Sequence, residues 1–249
     1  MILEILLFLC VGLLILVFFY KQAIMEFRLA QTDTFDKVPG LMKEKLPIIT
    51  QPFPIPFHLW TAQEINERYS LSSIVIPEYN VTLSTACQSS GQVSWTSEFA
   101  SKVALITGLP VWAEQFLKPI FTKESLLAPI YSYRTEVYIG PQGLQKTYGL
   151  ATILAVTDGT AAVTLLNEQS DPYLPVQWKG KILSKLTRDD APLIGHIQCI
   201  DVILRPGSCL IVPPHWKYCM EAKDSPQILS AKIIVNHPIS YIMEKAGSR

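Results

Sequence analysis

The stretch Arg205-Pro-Gly-Ser-Cys-Leu-Ile-Val-Pro-Pro-His-Trp-Lys-Tyr218 decides the fold of this chain. It begins with Pro206-Gly207, a pair that reverses the chain, continues as the apolar run Cys209 to Val212, and ends on the Pro213-Pro214 corner. Short apolar runs between proline and glycine turns are typical of β-sandwiches and β-barrels. The stretch therefore predicts a turn, a strand and a corner of a closed β structure.

The rest of the sequence repeats this pattern. Its 249 residues include 18 prolines and 12 glycines, which separate many short β-branched runs. The predicted strands are Ile74 to Ile76, Val81 to Ser84, Thr135 to Ile139, Leu150 to Val156, Ala161 to Leu166, Ile200 to Leu204, Cys209 to Val212 and Ile228 to Val235. The predicted helices run from the capping box Thr61-Ala-Gln-Glu64 to about Tyr69, from Thr96 to Thr107, and from Pro110 to Lys118. Asp158-Gly159 predicts a tight turn within a hairpin from Val156 to Val163.

The first twenty residues predict a membrane anchor. Thirteen of the sixteen residues from Ile5 to Tyr20 are Leu, Ile, Val or Phe, and none is charged. As a helix, residues 2–20 would be about 28 Å long, close to the thickness of the hydrocarbon core of a bilayer. No basic residue precedes the run and no small-residue cleavage site follows it, so an uncleaved anchor fits better than a signal peptide.

The charges around this run predict its orientation. Lys21 and Arg28 follow it, so the positive-inside rule predicts a single-pass protein with its N-terminus outside and its C-terminal domain cytoplasmic. The lipid bilayer is the expected partner of residues 2–20. A formal net charge of zero and a pI near 6.9 give no basic surface for phosphate backbones, so nucleic acid is not an expected partner.

Three further blocks carry a family resemblance. They are Tyr138-Ile-Gly-Pro-Gln-Gly143, Leu154 to Leu166, and the runs Ile200 to Val212 and Ile228 to Pro238 on either side of the Pro-Pro-x-Trp corner. Together they resemble the JmjC/cupin-like domain of the cupin_8 type, which is related to Fe(II)/2-oxoglutarate oxygenases. The resemblance covers roughly residues 50 to 240. It implies a mainly β fold with flanking helices (α+β), in which the strands form a double-stranded β-helix, the jelly roll of the cupins.

The resemblance also implies a metal site that has degenerated. In the family an H-x-D/E pair and a later His hold the iron. The corresponding region here, Lys146 to Thr152, contains no His, Asp or Glu, and the closing position is Tyr218. Tyr148, Trp216 and Tyr218 are therefore the expected positions of the degenerate site, where aromatic packing fills the mouth of the barrel.

The position that often grips 2-oxoglutarate in the family falls on Thr160 or Ala161, neither of which is basic.

Other residues could take the place of the missing iron ligands. The candidates for an unorthodox metal site are His215, His237 and Asp201, although no pair of them has the spacing of a known ligand motif. No metal, catalytic or cofactor-binding residue is otherwise assigned.

These observations lead to two functional hypotheses. The expected organisation is an anchor helix over residues 1–27, a linker over 28–50 and a cupin-like domain over 51–249. The expected function is that of a membrane-tethered, non-catalytic module without cofactor, a pseudoenzyme that serves as a scaffold or assembly component and has a protein partner. Such a module would fit an organelle membrane or a membrane-containing virus. The alternative is an Fe(II)/2-oxoglutarate-dependent oxygenase or a small-molecule binder with non-standard ligands.

Overall fold

A computed structural model describes residues 4–12, 14–15, 27–53, 61–76, 80–88, 96–122, 131–187, 189, 191–224 and 227–237. Residues 4–12 and 14–15 are helical. Within the described ranges, no helix combines the length and the apolar character needed to cross a membrane. Residues 2–3, 13 and 16–20 of the predicted anchor lie outside these ranges.

Strands dominate the rest of the described chain. They are β1 Ala30–Thr32, β2 Ile48–Thr50, β3 Val75–Ile76, β4 Val81–Thr82, β5 Ser132–Ile139, β6 Gln142–Lys146, β7 Ala151–Asp158, β8 Ala161–Leu166, β9 Ile200–Leu204, β10 Cys209–Val212, β11 Lys217–Ala222 and β12 Leu229–Asn236. The α-helices that follow residue 27 are α1 Val38–Leu41, α2 Ala62–Glu67, α3 Tyr69–Ser72, α4 Leu83–Gln88, α5 Ser97–Ile106 and α6 Leu109–Thr122.

Strands β5 to β12 form a cupin-like jelly roll. One sheet has the order β1-β2-β10-β7-β12-β5 and the other the order β6-β11-β8-β9. Every pair among these eight strands is antiparallel. The chain passes from one sheet to the other at each connection except that between β8 and β9, which is the arrangement of a double-sheet jelly roll. The expected mainly β, cupin-like fold is confirmed.

The six-stranded sheet is buried on both faces. On β7, Leu154 and Val156 face the other sheet and pack with Val163 and Leu165 of β8. The alternate residues of β7, among them Ile153, pack against the helical layer that includes α5 and α6. Because both faces are covered, β7 is buried from Ala151 to Thr157, and Ile153 to Val156 form a continuous apolar run where a half-exposed strand would alternate.

The local signals for helices are largely confirmed. Thr61 Oγ1 accepts a hydrogen bond from the backbone of Glu64 at 3.2 Å, and Thr96 Oγ1 accepts one from Phe99 at 3.3 Å. Both hydroxyls thus cap the helices that they were expected to begin. The third predicted helix is α6, which continues to Thr122, four residues beyond the predicted end.

Residues 28–50, expected to be a linker, contribute two strands to the larger sheet. Strand β2 pairs antiparallel with β10, placing Ile48 opposite Ile211, and β1 pairs in parallel with β2. Each strand has only three residues, too few for a periodic pattern to be visible in the sequence. Strands β6 and β11 were also not predicted, and the second half of the run Val81 to Ser84 begins helix α4 instead.

The predicted hairpin from Val156 to Val163 is wrong in its pairing. Gly159 has a φ of 80°, so the chain does reverse at the Asp158-Gly159 turn. However, β7 pairs with β10 and β12, whereas β8 pairs with β11 and β9. The turn therefore connects the two sheets and does not join neighbouring strands of one sheet.

Strand β6 carries a bulge opposite β11. Tyr218 pairs with Gln145, whereas Met220 pairs with Gln142. Between these pairs β6 advances by three residues and β11 by two, so β6 holds one additional residue. The bulge breaks the alternation of side chains, and both glutamines can point to the same side of the sheet.

The bulge depends on Gly143, which lies against the loop that follows Trp178. A Cβ atom added to Gly143 would be 2.0 Å from the carbonyl oxygen of Gly180. Two backbone hydrogen bonds hold this close approach: Gly180 N to Leu144 O at 2.8 Å and Leu144 N to Lys181 O at 2.7 Å. Only glycine fits at position 143 without displacing this loop.

Gly143→Ala is accordingly expected to lower the free energy of unfolding by about 2 to 4 kcal/mol, because a backbone carbonyl must move away from the new methyl group. Urea denaturation followed by circular dichroism measures the change. Gly40→Ala is the matched control, since a Cβ there meets no atom within 4 Å. Equal stability of the two variants would contradict the role given to the bulge.

Candidate functional site: the interior of the jelly roll

A buried tyrosine occupies the centre of the candidate site. Tyr218 on β11 is completely buried, and its hydroxyl lies 3.1 Å from Oε1 of Gln142 and 3.0 Å from Oε1 of Gln145. Both acceptors come from β6, where the bulge turns them towards the same phenol. Burial, followed by the nearby charge of Glu136, raises the pKa of Tyr218 well above its usual value. The phenol therefore stays protonated and acts as a donor.

A buried ion pair lies beside this phenol. Nζ of Lys232 on β12 lies 2.8 Å from Oε2 of Glu136 on β5. The same ammonium donates to Oε1 of Gln145 at 3.1 Å and lies 5.8 Å from the ring centre of Tyr138. The Tyr138 hydroxyl donates to Oε2 of Glu136 at 2.7 Å. Each charge is thus balanced by the other and by further hydrogen bonds, as buried charges require.

The other carboxylate oxygen of Glu136 faces the edge of the barrel. Oε1 accepts a hydrogen bond from the hydroxyl of Ser97, the first residue of α5, and lies 2.9 Å from a terminal nitrogen of Arg134. Burial alone would raise the pKa of Glu136. Lys232, together with the hydrogen bonds from Ser97 and Tyr138, more than offsets this effect and holds the pKa below its usual value. Glu136 is therefore ionised at neutral pH.

The glutamines complete the network between the two sheets. Nε2 of Gln142 donates to Oγ of Ser230 on β12 at 2.8 Å and lies 3.9 Å from the sulfur of Met220. Gln142 thereby joins β6 to β12, and the bond from Lys232 to Gln145 makes a second connection between the same two strands. We call the seven side chains in these contacts the interior network: Glu136, Tyr138, Gln142, Gln145, Tyr218, Ser230 and Lys232.

The interior network does not fit an iron(II) centre of the oxygenase type. Such a centre takes two imidazoles and one carboxylate on one face of the metal. The network offers amides, phenols, a hydroxyl and a single carboxylate, and that carboxylate is already paired with an ammonium group. The charge of Lys232 would also repel a metal cation placed beside Gln145. Among the residues that the structure describes, no group of three His, Cys, Asp or Glu side chains could hold a metal ion.

The expected degenerate-site residues lie in different surroundings. Tyr218 is in the interior network, and Trp216 is buried in the apolar half of the barrel, with its ring 5.8 Å from that of Phe27. Tyr148 is half-buried and belongs neither to the interior network nor to the apolar cluster around Trp216. The residue opposite Tyr218 on β6 is Gln145, which directly precedes the Lys146 to Thr152 region.

The three alternative metal candidates are not brought together as a ligand set. His215 is 60% exposed in the turn before β11, with Nδ1 3.5 Å from Oε1 of Glu168. His237 follows β12, and its ring meets the edge of Tyr131 at 5.9 Å. Asp201 lies on the exposed face of β9 and accepts a hydrogen bond from Thr164 at 2.7 Å.

Glu136, Lys232 and the two glutamines were not among the site residues predicted from the sequence. One signal was available: Glu136 lies in Ser132–Ile139 and Lys232 in Leu229–Asn236, both otherwise rich in apolar or β-branched residues. Charges of opposite sign in two such strands indicate a buried pair, since an unpaired charge is rarely tolerated there. The glutamines gave no such signal, because they face inwards only as a result of the bulge.

Comparisons with known proteins find similar structures but no related family. No family model and no curated protein matches the chain. Solved structures that resemble it include procruciferin, an 11S globulin of Brassica napus, with 16% identity, a TM-score of 0.26, and coverage of 42% of this chain and 20% of that one. Hydroquinone 1,2-dioxygenase of Sphingomonas sp. TTNP3, with 4-hydroxybenzoate bound, has 16% identity, a TM-score of 0.29, and coverage of 43% and 61%.

RmlC of Streptococcus suis, in complex with dTDP-D-xylose, has 14% identity, a TM-score of 0.28, and coverage of 49% of this chain and 52% of that one. The chain therefore spans less than two thirds of each of these three structures. At such TM-scores the similarities carry no conclusion about activity. The cupin-like fold is identified by the strand order of the chain itself.

Lys232→Met is expected to lower the free energy of unfolding by about 3 to 5 kcal/mol, because it leaves the Glu136 carboxylate buried without its main counter-charge. Adding Glu136→Gln to this variant should restore part of the lost free energy of unfolding. A double-mutant cycle measured by urea denaturation would show this as a favourable coupling energy between the two side chains. Lys102→Met is the matched control, since it breaks an exposed pair with Glu98 and should change stability little. Additive effects of the two interior substitutions would contradict the ion pair.

The stability of the protein is expected to fall in acid partly through Glu136. Its pKa is lower in the folded than in the unfolded chain, so its contribution is fully present above the unfolded pKa of about 4.3. That contribution is lost as the pH falls through the lower, folded value. Thermal unfolding of wild type and Glu136→Gln between pH 6 and pH 3 should show a steeper decline in the wild type. Parallel curves would refute this assignment.

Proposed function

We propose that this protein is a membrane-tethered, non-catalytic cupin-like module that acts as a scaffold or assembly component through a protein partner. The observation that carries the proposal is the interior network, which takes up the space between β5, β6, β11 and β12 with hydrogen bonds that satisfy one another. The resemblance in the sequence predicts that Tyr218 takes the position of the closing iron ligand in the JmjC/cupin-like family. Its hydroxyl is already bonded to glutamines of the facing strand.

The energetics of the network also favour a structural role. A ligand or metal entering this part of the barrel would have to break hydrogen bonds of a buried ion pair, and each group left unsatisfied costs about 1 to 3 kcal/mol. A satisfied polar network makes a β-barrel rigid and specifies one arrangement of its strands. A rigid body with fixed surfaces suits a component that acts by contact.

The membrane tether is supported by the N-terminal residues. The helical residues Ile5 to Leu9 expose apolar side chains, with Leu6 60% and Phe8 83% exposed. Exposed apolar groups of this size are stabilised by lipid. With Lys21 and Arg28 after the run, the positive-inside rule favours a cytoplasmic jelly roll. The tethering membrane is that of an organelle or of a membrane-containing particle.

Metal analysis of the full chain tests the proposal. Purified from membranes in detergent and incubated with iron(II) under anaerobic conditions, the chain is expected to retain far less than one iron per molecule and to turn over no 2-oxoglutarate. A known oxygenase treated in parallel shows that loading and assay work. One iron per chain, with 2-oxoglutarate turnover that is lost in His215→Ala, would overturn the proposal in favour of an oxygenase with non-standard ligands.

A further inference from the structure

A second feature of the protein is a cavity that lies apart from the interior network. It has a volume of about 500 Å³ and is lined by residues from 39–46, by Phe121 of α6, by the start of β7 and by the Pro213-Pro214 corner. Ala151 and Ile211, which line it, belong to the cluster on the helical face of the six-stranded sheet. The volume lies within the range of small-molecule binding sites.

The walls and the rim of this cavity differ in character. The walls are mainly apolar side chains, among them Met42, Leu46, Phe121, Leu150, Ile211 and Trp216. The ionisable side chains among its described lining residues are Lys43, Lys45, Tyr131, Glu168 and His215. Glu168 is the acidic member, and its carboxylate lies 3.6 Å from Lys146 and 3.5 Å from His215. Lys43 and Lys45 thus place two ammonium groups among the described residues of the rim.

The backbone is strained at two points of the same rim. Among the described residues other than glycine, three have a positive φ: Lys45 at 55°, Asn80 at 50° and His215 at 71°. Two of these three line the cavity. Left-handed conformations are costly for residues with a Cβ and cluster at ligand sites, where surrounding contacts hold them. Here the Lys45 N–H donates to Met42 at 3.1 Å and the His215 N–H donates to Thr147 at 3.0 Å.

The cavity also lies close to the end of the proposed anchor. The ring of Phe27, the first described residue after the apolar segment, lies 5.8 Å from that of Trp216, which lines the cavity. Seven residues separate position 20 from position 27, and a fully extended chain of that length spans at most about 25 Å. If residues 2–20 span a bilayer, the length of this connection keeps the cavity within reach of the bilayer surface.

We propose that this cavity binds a single-chain anionic amphiphile, with its acyl chain against the apolar walls and its head group beside Lys43 and Lys45. The apolar walls exclude water from the chain, and the lysines donate charge-assisted hydrogen bonds to a carboxylate or phosphate. A free fatty acid and a lysophospholipid share this chemistry. The inference depends on the proposed tether to bring lipid near the protein. The geometry of the cavity does not depend on the tether.

Photo-crosslinking on the full chain tests the assignment. The chain, reconstituted in phosphatidylcholine nanodiscs, is irradiated with diazirine-labelled palmitic acid or diazirine-labelled lysophosphatidic acid, and the adducts are mapped by mass spectrometry. Adducts are expected on residues 39–46 and 213–216. Lys43→Gln/Lys45→Gln should weaken binding about tenfold, the effect of losing a charge-assisted hydrogen bond. Met42→Trp, which narrows the cavity at its apolar wall, should reduce the adducts.

Matched controls separate this site from general adhesion. Lys179→Gln/Lys223→Gln removes two exposed lysines elsewhere and should leave labelling unchanged, and circular dichroism checks that each variant is folded. Capture of either anionic probe at these residues supports the proposal. Equal labelling by diazirine-labelled palmityl alcohol, adducts outside the cavity, or labelling unaffected by Met42→Trp would overturn it.

The two proposals can fail separately. If the chain does not enter nanodiscs, the tether is wrong, and the same crosslinking carried out in solution still decides whether the cavity takes an anionic amphiphile. If the purified chain binds iron and turns over 2-oxoglutarate, the non-catalytic function is wrong, whereas the adduct map recorded without added iron still decides whether the cavity takes an anionic amphiphile.

Discussion

A buried ion pair between two neighbouring strands is the interaction on which the barrel depends. Glu136 and Lys232 lie almost completely out of water, where an unpaired charge would cost several kcal/mol. Each charge therefore restricts the position of the other and of the groups bonded to it. Lys232 also donates to Gln145, and Gln142 donates to Ser230. Through these bonds the pair determines how the larger sheet faces the smaller one.

This constraint divides the inside of the barrel into two halves. One half is an apolar cluster that includes Leu154, Val163, Leu210 and Trp216. The other half is the interior network, which contains the ion pair of Glu136 and Lys232. The cavity for the proposed amphiphile shares Trp216 with the apolar half and no described lining residue with the interior network.

Several parts of this arrangement could be read from the sequence. Strand β10 was found because Cys209 to Val212 is apolar and bounded by turns, and the start of α2 was found because Thr61 and Glu64 have the spacing of a capping box. Strand β6 was missed because Gln-Gly-Leu-Gln-Lys has neither an apolar run nor clear alternation. Its extended form is imposed by pairing with β11. The inward positions of its glutamines follow from a bulge that requires Gly143 to lie against Gly180.

The sequence alone determined the features that depend on neighbouring residues: where the chain turns at Gly159 and Gly207, where Thr61 and Thr96 cap helices, and which strands are apolar. It also marked Tyr218 as the residue at the family's closing ligand position. Only the tertiary structure decided that β7 pairs with β10 and β12 and not with β8, and that Glu136 meets Lys232. A turn is set by local backbone energetics, whereas a strand's partner and a buried charge's counter-ion are set by the packing of two sheets built from distant segments.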